Sequence, residues 1–171
     1  MANHCHFMIK VKSKTKKNIK IFEEVAKNPY NYENGVNIEN TSHLCRIFDF
    51  EHNDPNEKII KEDDGRYSCI FDGVCAWSVY SCMFTGPSTY FDDFLERYGD
   101  NCMATNIPEL SEDLELDIEI FSEEVGCEFM EHFVVKQGEI MTQDCVEYIE
   151  EYDEETDEYT SKGGMDWVFT I

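Results

Sequence analysis

DGVCAWSVYSCMFTG, residues 72–86, gathers two cysteines, one of the chain's two tryptophans, a tyrosine and a phenylalanine around Gly73 and Gly86. Such a stretch is either a thiol site on a loop or core, in a chain whose mean hydropathy is only −0.50. Side-chain alternation argues for core. Upstream, Tyr67, Cys69 and Phe71 fall on one face and Ser68, Ile70 and Asp72 on the other. Downstream, Cys75, Trp77, Val79 and Ser81 oppose Val74, Ala76, Ser78, Tyr80 and Cys82. A two-residue period rich in β-formers reads as a strand. With Gly73 as a turn or bulge, the whole stretch becomes a central strand and its continuation, Cys75 and Trp77 pointing inward.

Working outward, HCHFMIKVKS (4–13) sets Cys5, Phe7, Ile9 and Val11 against His4, His6, Met8, Lys10 and Lys12, a half-buried strand. Ser13 or Thr15 then caps a helix that places Ile19, Phe22 and Val25 or Ala26 at helical spacing. Residues 28–43 read as loop, LCRIFDFE (44–51) as a second strand, and HNDPNEKIIKEDDG (52–65) as a polar excursion. After Pro87, Ser88 can cap a helix ending at Gly99, and NIPELSEDL (106–114) a shorter one. ELDIEIFSEE (115–124) alternates Leu116, Ile118 and Ile120 against Glu115, Asp117, Glu119 and Phe121, a strand with an acidic face. A hairpin turning at KQGE (136–139) follows, then a loop through DEETDEYTSKGG and a last strand at MDWVFTI (165–171). This order predicts one α+β domain over residues 1–171, a mixed or antiparallel sheet with helices on one face and a C-terminal acidic hairpin. The ferredoxin-like arrangement is the commonest small example of that class.

The chain of 171 residues carries 37 acidic and 14 basic residues, a net charge of −23. Six of the lysines lie within the first twenty positions, which hold no acid, so residue 21 onward carries 8 basic against 37 acidic residues, −29. That sign repels phosphates and anionic membranes and attracts basic protein grooves. Direct nucleic-acid or membrane binding is therefore not expected. With no signal-like start and no apolar run of membrane length, the expectation is a soluble protein of the host cytoplasm. Its eight cysteines (Cys5, Cys45, Cys69, Cys75, Cys82, Cys102, Cys127 and Cys145) then read as reduced thiols, and no CxxC pair marks a zinc knuckle.

Three segments carry a resemblance: the opening MANHCHFMIKVKSKTKKNIKIFEEV, the CAWSVYSCM block, and LDIEIFSEEVGCEFMEHFVVKQGE. Together they resemble the YubB-type ferredoxin-like family of small phage and plasmid proteins. Asn3 and Cys5 match its opening, with His4 where the family usually has Trp. Glu124, Gly126 and Phe129 follow its later pattern. The resemblance implies a ferredoxin-like fold and a mobile-element origin; it implies no activity.

Eight carboxylates lie between Glu109 and Glu124 and eight between Glu147 and Glu158. The bland reading is a solvated face; the sharper one is a nucleic-acid mimic that binds a basic protein, such as a host nuclease, a restriction enzyme or a CRISPR effector. Its partner-binding candidates are Glu115, Asp117, Glu119, Tyr148, Glu150, Glu151, Tyr152, Asp153, Glu154 and Glu155. Tyrosines beside acids supply interface anchors that charge alone does not. This reading has no catalytic residue, metal or cofactor. Two alternatives stand beside it. One is a metal- or thiol-dependent enzyme using His4, His6 and His132, or Cys69, Cys75, Cys82 or Cys127 with His132 or His43 as base; the other is an accessory or structural phage protein.

Overall fold

The computed structural model describes residues 3–27, 44, 46–54, 59–84, 105–153 and 158–171. Thr15 Oγ1 accepts the Asn18 N–H at 3.3 Å and opens helix α1, Lys16–Lys27, after strand β1, His4–Ser13. Next come β2 (Ile47–His52), β3 (Ile60–Lys61) and β4 (Tyr67–Ala76), then a π-helical turn at Tyr80–Phe84. Helix α2 (Ile107–Asp113) leads into β5 (Leu116–Glu124), β6 (Phe129–Lys136), β7 (Glu139–Asp153) and β8 (Glu158–Gly163). The strand order is β2-β4-β1-β5-β6-β7-β8, with β3 on β4, and every described pairing is antiparallel. The architecture is α+β, dominated by this one sheet. The expected helix from Ser88 and the loop at 28–43 lie outside the described residues.

One face of the sheet carries the main core. Cys5, Phe7, Ile9 and Val11 of β1 lie beside Cys69, Phe71 and Cys75 of β4 and Leu116, Ile118 and Ile120 of β5. Ile19, Phe22 and Ala26 of α1 and Ile107 and Leu110 of α2 belong to the same cluster, so both helices lie on this face. Burying such residues at roughly 25 cal/mol per Å² is what offsets the entropy of ordering the chain.

The deciding stretch is core, but only its first half is strand. Trp77 takes a left-handed backbone (φ 65°) and donates its N–H to Asn3 O at 2.9 Å, which ends β4 at Ala76. The Glu131 carboxylate then accepts the Val79 N–H at 2.9 Å and the Tyr80 N–H at 3.4 Å, and a helical turn begins where the alternation predicted strand. A capping acid fifty residues away leaves no mark on local periodicity. Cys75 is fully buried as expected; Trp77 is only half-buried, its ring against the core edge and under the Arg46 guanidinium at 4.3 Å. Gly73 is neither turn nor bulge. It sits inside β4 between Phe7 of β1 and Phe50 of β2, and the register shift lies in β2 between Ile47 and Asp49, opposite Cys75 and Val74. That shift turns Phe48 outward and Phe50 into the core.

Two expectations near the C-terminal end are corrected. Residues 158–163, read as loop, pair with β7 as β8. Residues 165–171, read as a strand, form none; they make a strap across the outer face of the sheet. The strap touches Met130 of β6 through the Met165 N–H (3.3 Å), then sets Trp167 and Phe169 against Phe121 of β5, with ring centroids 6.1 and 5.4 Å away. It ends at β1, where Lys10 Nζ donates to Ile171 O at 2.8 Å. Phe121, assigned to an acidic face by its position in β5, is thereby buried.

Candidate functional site

The acids of β5 serve the fold more than the surface. Glu115 is exposed, 3.5 Å from Lys14. Asp117 holds Arg66 at 2.7 Å. Glu119 is fully buried and accepts from the Thr170 N–H (2.6 Å), the Ile171 N–H (3.0 Å) and the Thr170 hydroxyl (3.1 Å), with His132 Nε2 at 2.9 Å. Burial pushes its carboxyl up, but the backbone N–H of Thr170 and the other donors outweigh this and hold it below the ordinary value. A partner cannot reach Glu119. Tyr148, proposed as an interface anchor, is also buried, at 2 % exposure. The cause is the same for both: the strand's second face, which alternation leaves to solvent, is covered by later parts of the chain.

Beside β5 the basic start of the chain is part of the sheet. Lys10 and Lys12 pair in register with Glu119 and Asp117. Their ammonium groups meet Glu62 at 2.9 and 2.5 Å, and Lys12 also meets Asp64 at 2.9 Å. Partial burial would raise the Glu62 carboxyl, but hydrogen bonds from Lys12, Ser68 and Lys10 prevail and bring it down to about 2. Lys12, Glu62, Asp63 and Asp64 line a shallow open cleft of about 450 Å³.

The exposed acid lies on β7. Its first part, Glu139–Glu147, pairs with β6, and its second, Tyr148–Asp153, with β8. Among the described residues no strand pairs the other edge of the first part. Glu139, Asp144, Glu147 and Glu151 are exposed along it, Glu151 in an ion pair with Lys162. Between them Ile140, Met141, Ile149 and Tyr152 are 44 %, 59 %, 57 % and 49 % exposed. Glu150 and Asp153 belong to β7 by backbone position, while Glu154 and Glu155 lie outside the described residues. Glu139, Asp144 and Glu147 are not among the sequence candidates, because the KQGE turn marks the hairpin but not the length of its second strand.

The histidines do not converge as a metal reading requires. His4 and His6 are exposed on β1, whereas His132 lies two strands away, stacked on Phe121 at 4.3 Å. Among the described residues no three His, Cys, Asp or Glu side chains are placed to share an ion. Nor does His132 approach the thiols of β1 and β4. Cys5, Cys75 and Cys82 are buried; hydrogen bonding with the Cys5 and Cys82 sulfurs, together with burial, pushes the Cys75 thiol far up. The exposed Cys127 is pushed up by Glu124, and the exposed Cys145 by partial burial and then by Glu131 and Glu147.

A different trio does meet. Cys69 Sγ of β4 lies 3.2 Å from His52 Nδ1 of β2, and His52 Nε2 lies 3.0 Å from Glu23 Oε1 of α1. Thiol, imidazole and carboxylate in that order form the arrangement that activates nucleophiles. Sequence reasoning named Cys69 but assigned it His132 or His43. The pairing with His52 depends on the β2 register shift, which the sequence does not announce. No helix among the described residues is long and apolar enough to cross a membrane. No family model, curated protein or solved structure matches the chain.

Proposed function

We propose that this is a non-enzymatic acidic protein of a mobile element that docks through β7 and β8 on a basic surface of a host nucleic-acid-handling enzyme, of the nuclease or CRISPR-effector kind, and inhibits it. The observation that carries this reading is β7 itself: fifteen residues with six acids, no lysine or arginine, and an exposed run on both faces. At roughly 3.4 Å per residue the strand spans about 48 Å, one charge per roughly 8 Å. Duplex DNA carries one per about 1.7 Å, so β7 does not reproduce a duplex phosphate for phosphate. Its charge steers the encounter, and the exposed Ile140, Met141, Ile149 and Tyr152 supply the contact area that holds it. We read the fold as ferredoxin-like over β1 to β5, with β6, β7 and β8 added at the β5 edge. The order β2-β4-β1-β5, with α1 between β1 and β2 and α2 before β5, supports that reading.

The test is capture of a partner from host lysate at low salt, followed by displacement with competing DNA. The same experiment uses a variant carrying Glu139→Lys, Asp144→Lys, Glu147→Lys and Glu151→Lys. A basic nucleic-acid enzyme retained by the wild type, released by DNA and lost by the variant is the expected outcome. Equal retention by the variant refutes the role of β7.

A further inference from the structure

We propose that Cys69 is a peroxide-reactive thiol held ready by His52 and Glu23, and that its substrate is a small neutral hydroperoxide. The geometry assigns the protons. A carboxylate only accepts, so the Glu23 Oε1 contact at 3.0 Å places the imidazole proton on Nε2 and turns the Nδ1 lone pair toward the thiol at 3.2 Å. Transfer of the Cys69 proton to Nδ1 gives a thiolate beside an imidazolium that Glu23 stabilises from the far side. Among the described residues, the charged and titratable groups facing the pair come from α1 and β2. Helix α1 contributes Glu23 and Lys27, whose ammonium shares Oε1 at 2.6 Å; β2 contributes His52; β1 places Val11 opposite Cys69. The Phe71 ring lies 4.9 Å from the imidazole and shields it from water on that side.

Size and charge choose the substrate. Cys69 is 5 % exposed and the chain carries −23, so bulky acyl donors and anions are turned away, while a neutral molecule not much larger than water reaches the sulfur. The thiolate attacks the terminal oxygen of the hydroperoxide, the S–O bond forms and the O–O bond breaks. Sulfur is oxidised by two electrons to sulfenic acid, and the hydroperoxide is reduced to an alcohol or water. The departing oxygen takes the proton held on His52 Nδ1. Thiolate character governs this step. The two exposed thiols among the described residues lack it: carboxylates stand beside Cys127 and Cys145, and both are pushed up. The proposal therefore inverts the order that exposure alone would give.

The experiment treats the full chain with one equivalent of hydrogen peroxide at pH 6.5. The protein is then unfolded in dimedone, and adducts are mapped by peptide mass, so that access of the trap plays no part. Cys69 should carry most of the adduct and Cys127 and Cys145 little. An ordinary thiol is only about 1 % thiolate at this pH, so His52→Gln should slow Cys69 about tenfold or more. It should also steepen the rise of the Cys69 rate with pH, while Cys127 and Cys145 are unchanged. Glu23→Gln, on the solvent flank of α1, should give the same change of profile in smaller measure and serves if His52→Gln does not fold. Faster oxidation of Cys127 or Cys145 than of Cys69, or a Cys69 profile unaltered in both variants, overturns the proposal.

Discussion

Gly73→Ala tests the packing of the stretch that decides the fold. A Cβ at this position would meet Phe7 Cζ at 2.2 Å, Phe7 Cε2 at 2.5 Å and the Asp49 carbonyl oxygen at 2.5 Å. Contact between such atoms is comfortable only from roughly 3.5 Å, so each neighbour would have to retreat by about 1 Å. Phe7 is 2 % exposed and packs against Phe50 at a centroid distance of 6.2 Å, so its ring has no space to enter. The Asp49 oxygen is backbone, in a strand whose register is tied to β4 on both sides of the shift. Overpacking of this kind costs about 1 to 3 kcal/mol, occasionally more. The smaller entropy of an unfolded alanine chain returns roughly 0.4 to 1 kcal/mol. The net loss is then about 1 to 2 kcal/mol, or a Tm lower by roughly 2 to 8 °C for a chain of this size. Urea unfolding followed by tryptophan fluorescence measures it, with an unchanged m-value as the check that only the native state was altered. Phe7→Leu in the same chain should recover part of the loss, because the ring contact goes while the Asp49 contact stays. A Gly73→Ala protein within about 0.5 kcal/mol of wild type would refute the close approach of β2 and Phe7.

Trp77→Ala should cost about 2 kcal/mol, less than the roughly 3 to 5 of a fully buried tryptophan, and Trp77→Gly less again because glycine relieves the left-handed backbone; chemical unfolding of the two variants decides. Glu119→Ala should destabilise by about 3 kcal/mol and shift the emission of Trp167 to the red as the strap lifts; an unshifted spectrum would mean that the strap is held by its aromatic rings alone. Glu119 and Glu131, both buried, should act oppositely with pH, as Tm measured across acid and neutral pH will show. Glu119 lies below its ordinary value, so its contribution is complete above that value, near pH 4.5, and is lost as pH falls through the folded one. Glu131 is raised, chiefly by burial, so stability falls as pH climbs from about 4.5 toward its folded value, and Glu131→Gln should flatten that decline.

The β-strands of the core were legible because each needs only one buried face, and Cys5 to Val11 and Leu116 to Ile120 announce theirs by simple alternation. Helix α1 was legible for the same reason at its own period, with Thr15 as a cap. What alternation cannot show is a second covering layer. Phe121 and Glu119 read as outward because the strap that buries them lies some fifty residues downstream, and nothing in ELDIEIFSEE points to MDWVFTI. The helical turn after Trp77 was illegible on similar grounds, since its cap is Glu131 of β6. The candidate sites fared likewise. The acids were visible as composition, but which of them face solvent depends on which strands are covered. The trio of Glu23, His52 and Cys69 draws one residue each from α1, β2 and β4 and has no sequence spacing of its own.

The distribution of charge has a structural logic that the net value hides. The lysines of β1 are not a basic tail: Lys10 and Lys12 lie in the middle of the sheet, facing Glu62 and Asp64 and in register with the acids of β5. Arg66 joins them by holding Asp117 and donating to Lys12 O at 3.3 Å. Such partly covered pairs are screened less by salt than exposed ones, and they bind acid and base to each other instead of to a partner. Two of the six lysines at the start of the chain, Lys10 and Lys12, are thus committed on the outer face of the sheet, while Lys14, Lys16, Lys17 and Lys20 are exposed. The excess acid falls on β7, where Lys162 of β8 pairs with Glu151 and Lys136 of β6 stands in register with Glu139. A free strand edge with like charges on its flanks resists pairing with a second copy of itself, since each acid would face another. The same edge meets no such barrier when the approaching surface is basic. Charge on β7 therefore opposes self-association, and under the proposed function the same charge favours a cationic partner.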